Sequence, residues 1–151
     1  MFKNIFLLFF FISTSIYSQV FDEKINSLAS NYESDIIELR HWFHENAELS
    51  NREFKTAERI AAELKKIGLN PQIGVAKTGV VAVLKGGKPG PVVALRADID
   101  GLPVKERADL PWKSNMTGEY NGESVPVMHA CGHDTHTCLL YTSDAADDGT
   151  G

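Results

Sequence analysis

Apolar residues Phe21, Ile25, Leu28, Tyr32, Ile36, Leu39 and Phe43 recur at steps of 4, 3, 4, 4, 3 and 4. That spacing predicts an amphipathic helix whose stripe packs on something larger. A second helix carries Phe54, Ala57, Ile60, Ala61, Leu64 and Ile67 inward. Ser50-Asn51-Arg52-Glu53 fits a capping box at its start, and Gly68 fits its end. Lys65 and Lys66 lie in its last turn, where cations suit the helix dipole. Glu58, Arg59, Glu63 and Lys65 predict a solvated face. The period then shortens. Gly79 to Leu84 is a β-branched run, residues 85–90 form a Gly- and Pro-rich turn, and Pro91 to Leu95 returns. This predicts a hairpin or adjacent strand pair. The turn lacks the Gly-Lys-hydroxyl signature and the following helix of a phosphate loop. From Lys105 to Val127 the chain is polar, broken by Pro111, Gly118, Gly122 and Pro126, and reads as loop. Trp112 and Tyr120 there either face a substrate or cover a small apolar cluster. Helices followed by strands indicate a mixed α/β domain.

Two ends of the chain stand apart. Lys3, the eight-residue apolar run Ile5–Ile12 and Ser13 to Ser15 have the layout of a secretory signal peptide, residues 1–18, cleaved after Ser18. The run is well short of the ~20 residues of a membrane span. The mature protein is therefore expected outside the cytoplasm, periplasmic or secreted, without a membrane anchor. Residues 19–137 form the domain. Residues 138–151 read as a tail of foreign character, an adapter or read-through, because from Thr142 onward no large apolar residue occurs. Cys138 sits at that junction and is given no role. The 151 residues suffice for one core, and a net charge of −5 makes nucleic acid an unexpected partner. Two cysteines are too few for a disulfide framework.

The chemistry concentrates in Met128-His129-Ala130-Cys131-Gly132-His133-Asp134-Thr135-His136, which holds three of the five histidines. In an extended segment His129, Cys131 and His133 share a face. Thiolate and imidazole suit zinc and similar divalent metals. Val92-Val93-Ala94-Leu95 reads as a short buried strand, with Asp98 and Asp100 just beyond its carboxyl end, where α/β sheets gather ligands. Arg96 is placed to pair with one of these two aspartates.

Arg-Ala-Asp-Ile-Asp-Gly-Leu-Pro (96–103), followed some twenty-five residues on by Met-His-Ala-Cys-Gly-His-Asp-x-His-Thr (128–137), resembles the M20 metallopeptidases. Within them it is most similar to amidohydrolases that cleave N-acyl amino acids, such as hippurate or indoleacetyl conjugates. Arg40-His41-Trp42-Phe43-His44-Glu45-Asn46-Ala47-Glu48-Leu49-Ser50 resembles the family's opening motif, with His41 and Ala47 standing where the family has arginine and proline.

The resemblance covers Arg40 to Thr137. It implies the amino-terminal part of a zinc-aminopeptidase-like catalytic domain, a mixed sheet flanked by helices, without the lid domain that serves dimerisation. It further implies a divalent metal centre, two zinc or manganese ions per complete site, acting on a small N-acyl amino acid or peptide. Cys131 and His133 are implied as ligands and Asp98 as the catalytic-site carboxylate that fixes their geometry. Asp134 and His136 are implied as neighbours that orient ligands or substrate, and the His44–Ser50 turn as a support that binds no metal. Arg96, Asp100 and His129 are further supporting candidates from the residues themselves, the family motif giving His129 no metal role. The general-base glutamate and the remaining ligands lie downstream in the family, so the chain is expected to be an inactive fragment of a homodimeric enzyme. Three other readings stay open: a cysteine hydrolase with Cys131 as nucleophile, an exported non-catalytic metal-binding module, and a structural zinc site, which needs four protein ligands.

Overall fold

The chain's structure, a computed structural model, describes the backbone of residues 3–145 and the side chains of residues 22–141. Its elements in order are α1 (Lys3–Glu45), α2 (Phe54–Lys66), β1 (Gln72–Val75), β2 (Gly79–Val81), β3 (Met116–Tyr120), β4 (Glu123–Val127) and α3 (His133–Ala145). Two units are distinguished, residues 1–35 and 36–151. The first is helical from Lys3 onward. All other elements lie in the second. The signal-peptide assignment rests on side chains outside the described set. Among the described residues no helix is long and apolar enough to cross a membrane.

The stripe on α1 is buried only where partners exist. Ile25 is 59 % exposed, whereas Leu39 and Phe43 are buried and pack with Cys138, flanked by Ile36, Trp42, Ile60 and Tyr141. The Arg59 guanidinium lies 5.0 Å from the Trp42 ring centroid and adds a cation–π contact between α1 and α2. Cys138 is therefore a core residue, and α3 runs without interruption through the boundary drawn after Thr137. Cys138 faces α1, and Tyr141 follows it onto the same cluster. Residues 146–151 of the tail lie outside the described set.

The capping box at Ser50–Glu53 does not form. Asn51 adopts φ 63° and α2 begins only at Phe54, with no side-chain cap from Glu53. Glu48 takes over that work from upstream. Its carboxylate accepts from the Lys55 amide at 3.3 Å, the Thr56 amide at 2.8 Å and the Thr56 hydroxyl at 2.9 Å. An acidic group at the positive end of a helix dipole is favourable. Glu53 instead accepts from the buried Thr78 hydroxyl at 2.7 Å, tying α2 to the β1–β2 turn. Phe54 points outward, 53 % exposed. The charged face of α2 also departs from expectation at Glu63, which is buried and bridged by Arg59 at 2.7 Å and Lys66 at 2.8 Å. The far end closes as expected, with Gly68 N bonding Lys65 O at 3.1 Å and Leu69 N bonding Leu64 O at 3.0 Å.

The α/β class is as expected, with the strands differently paired. β2 pairs antiparallel with β1 upstream, not with Pro91–Leu95 downstream. Val92, Val93 and Leu95 are 98, 77 and 65 % exposed. A strand of that composition is buried only when neighbours cover both faces, and among the described residues none pairs with it. The stretch read as loop contains a second antiparallel hairpin, β3–β4, turned at Asn121-Gly122, both at positive φ. Asn-Gly is the favoured pair for that turn.

Mixed strand directions occur in the bridges that set the site. Gly101 pairs in parallel with Leu49, and Leu102 pairs antiparallel with Met128. The Ala47, Leu49 and Val127 side chains form the core beneath. Gly101 is needed here, since a Cβ would meet Val127 at 3.0 Å and Ala47 at 3.1 Å. These bridges hold residues 98–102 beside residues 128–133.

Candidate metal centre

The segment carrying the histidines is not extended. It leaves β4, bends at residues 130–132, and enters α3 at His133. Gly132, at φ +104°, makes the turn, a conformation that L side chains rarely adopt, and its carbonyl accepts the first helical bonds from Thr135 and His136. The alternation argument therefore fails. His129 is buried, Cys131 is exposed as a free thiol in the bend, and His133, after both, is half-buried at the start of α3.

His133 is held by Asp100. Its Nδ1 lies 2.9 Å from Asp100 Oδ1 and 3.0 Å from the Asp100 carbonyl oxygen. With Nδ1 donating to this carboxylate, Nε2 keeps its lone pair for a ligand. Asp98, two residues earlier, points to solvent and accepts from Arg96 Nε at 3.0 Å and Nη2 at 2.9 Å. The Arg96 hydrogen bond, then its charge, holds the Asp98 carboxyl below the usual range. Arg96 thus pairs with Asp98 and not Asp100. The structure brings together Asp100 and His133, with Asp98 near but turned away. The Asp98 backbone carbonyl accepts from the Thr137 hydroxyl at 3.3 Å, so the segment is anchored to α3 by its backbone.

His129 is buried, and neither ring nitrogen has a hydrogen-bond partner. Burial pushes its pKa down, opposed by the charge of Asp134. His136 is exposed, its ring 6.2 Å from that of His133. With Leu95, Arg96, Leu139 and Leu140 it lines a shallow groove of about 340 Å³. Asp134 is buried and accepts from His44 Nδ1 at 3.0 Å, with Arg40 Nη1 at 3.6 Å. Trp112 stacks on His41 at 3.7 Å between centroids and 12° between planes. It therefore packs on α1 rather than standing free in the loop.

Sequence reading missed two residues here. Glu106 bonds His44 Nε2 at 2.8 Å, and Glu48 caps α2. Neither carries a local signal, because their partners are set by tertiary packing.

The donor set fits a soft divalent metal in part. Cys131 offers a thiol, His133 an oriented imidazole, and Asp100 the buttress that metal-binding histidines require. Among the described residues no three His, Cys, Asp or Glu side chains converge on one point.

Residues 94–146 match the sequence model of Peptidase family M20/M25/M40. Thermostable carboxypeptidase 2 of Saccharolobus solfataricus is 44% identical over 119 residues, 78% of this chain and 28% of that protein. Hippurate hydrolase of Campylobacter jejuni is 45% identical over 102 residues, 68% of this chain and 24% of its own length. Among solved structures, the Bacillus subtilis YXEP protein, described as a dinuclear metal-binding peptidase of the M20 family, aligns with a TM-score of 0.69. It is 36% identical, covering 79% of this chain and 32% of that one.

The chain belongs to the M20 peptidase family, an amidohydrolase and peptidase family. It spans about a quarter of the length of the curated relatives it matches.

Proposed function

We propose that this chain supplies part of the metal centre of an exported hydrolase that cleaves the amide bond of N-acyl amino acids or small peptides. The observation that carries the reading is the Asp100–His133 bond, which orients an imidazole two residues from the exposed Cys131 thiol. Cys131, as a thiolate, and His133, through Nε2, would hold the metal. A divalent ion bound there supplies Lewis-acid polarisation of a carbonyl and an activated water near neutral pH. Asp100 keeps the His133 proton on Nδ1. Gly132 sets the bend that separates the two donors.

The relative named for hippurate supports the substrate class, and the dinuclear neighbour supports two divalent metals per complete site, proposed from the family resemblance to be zinc or manganese. Since three donors do not converge among the described residues, the 151 residues alone are not expected to turn over substrate. A homodimer is proposed for the complete enzyme from the family resemblance. A Co²⁺ titration of the purified chain tests the ligand assignment. A thiolate-to-metal absorption band should appear, vanish in Cys131→Ser and weaken in His133→Ala. A band that survives both changes contradicts it.

A further inference from the structure

A buried polar cluster lies beside this centre and takes no part in the chemistry proposed for it. His44, in the last turn of α1, is buried with a carboxylate facing each ring nitrogen. Asp134 Oδ2 lies 3.0 Å from Nδ1, and Glu106 Oε2 lies 2.8 Å from Nε2. The two side chains are only 3 and 8 % exposed, so neither is satisfied by bulk water. Their other oxygens are already committed. Glu106 Oε1 accepts from the Arg107 and Ala108 amides at 3.0 Å each, and Asp134 Oδ1 from the Thr135 amide at 2.9 Å. Arg40 Nη1 lies 3.6 Å from Asp134 Oδ2.

The placement of the two carboxylates gives the cluster its meaning. Glu106 follows Asp100 by six residues on the same loop, and Asp134 is the residue after His133 in α3. The Asp100–His133 bond and the Glu106–His44–Asp134 bridge are therefore parallel ties between the same two segments. We propose that His44 is a positioning residue for the metal centre, holding the first turn of α3 against the loop that carries Asp100. The proposal rests on the reading of Cys131 and His133 as ligands. An imidazole suits the place because its two nitrogens sit on opposite edges of one rigid ring. Without it, two buried carboxylates lose their shared partner, a desolvation cost that is relieved by moving apart. That movement draws His133 away from Asp100 and from Cys131. Loss of such an outer support lowers metal affinity by about tenfold to a hundredfold.

Two measurements on the 151-residue chain test this. The first uses no metal: amide hydrogen exchange at Thr135 and His136, whose N–H groups bond the Gly132 carbonyl at 3.0 and 3.1 Å. His44→Ala should accelerate exchange there at least tenfold while the amides of α2 stay unchanged. The second is Co²⁺ affinity from the cysteine-dependent band, which should weaken at least tenfold in the same variant. Added imidazole should restore both. Should His44→Ala fail to fold, His44→Gln, which keeps one donor, and Glu106→Gln, which keeps a neutral partner, should each show the same paired changes at smaller size. Unchanged exchange at Thr135 and His136 overturns the proposal, and so does faster exchange with full Co²⁺ affinity, which would make His44 merely structural. A wild-type chain with no cysteine-dependent band refutes the ligand reading instead, and the exchange arm then decides alone whether His44 is the clasp.

Discussion

Asp100 Oδ1 lies 2.9 Å from His133 Nδ1, whereas Asp98, two residues earlier on the same segment, pairs with Arg96 at the surface. One of two similar carboxylates orients the His133 imidazole, and the backbone decides which. The parallel bridge from Gly101 to Leu49 and the antiparallel bridge from Leu102 to Met128 turn Asp100 toward α3.

These two aspartates should respond differently to substitution. Asp100→Ala is expected to weaken Co²⁺ binding by about tenfold to a hundredfold. Asp98→Ala is expected to change it less than threefold, since its partner is an exposed arginine and such pairs contribute little. Isothermal titration of both variants checks this, and equal losses would place Asp98 at the site too.

A second expectation concerns the start of α2. Glu48→Ala should cost about 1 kcal/mol, because it removes a carboxylate that caps two amides at the positive end of the helix. Ser50→Ala should be nearly neutral, since Ser50 does not cap the helix. Thermal melts of the two variants separate the cases, and a larger loss for Ser50→Ala would restore the capping box.

α1 and α2 were legible because their apolar residues recur at helical spacing, and α1 buries its stripe near Leu39 and Phe43. α3 was not, because its first residues read as extended and its last as a foreign tail. The β3–β4 hairpin was not, although Asn121-Gly122 announced it. Its strands alternate core-side Met116, Val125 and Val127 with exposed Thr117, Glu119 and Ser124. The pattern is only five residues per strand and is interrupted by Gly118 and Pro126, so it does not stand out from a loop. Val92–Leu95 misled in the opposite way: its composition predicts burial, and burial depends on neighbours that the described residues do not provide. At the proposed site, Cys131 and His133 are candidates by residue type, spacing and family resemblance. The choice of Asp100 and the bridging of His44 to Glu106, 62 positions away, depend on packing and leave no local trace.

The two thiols should differ in reactivity. Burial pushes the Cys138 thiol up to about 12, and it packs on Leu39 and Phe43. Iodoacetamide at pH 8 should label the exposed Cys131 and spare Cys138. A thiol whose pKa is raised on folding favours the folded state below the ordinary thiol pKa. Stability should therefore fall as pH rises from about 9 toward 12. A Cys138→Ala variant should lack this decline. Fast labelling of Cys138 in the native protein would show that α3 does not bury it.

Export makes a further expectation, from Lys3 and the Ile5–Ile12 run. Expressed in a Gram-negative host, the mature product should begin near Gln19 and be recovered outside the cytoplasm. Amino-terminal sequencing that finds Met1 in a soluble cytoplasmic pool would contradict it.

The central claim is that Cys131 and His133 bind a metal together. X-ray absorption at the zinc edge of the zinc-loaded chain tests it most directly, because sulfur and nitrogen scatterers are distinguished by distance. One sulfur at about 2.3 Å and at least one imidazole nitrogen at about 2.0–2.1 Å are expected. The sulfur should disappear in Cys131→Ser, and the imidazole contribution should diminish in His133→Ala. A shell of oxygen and nitrogen alone, unchanged by both substitutions, would contradict the account.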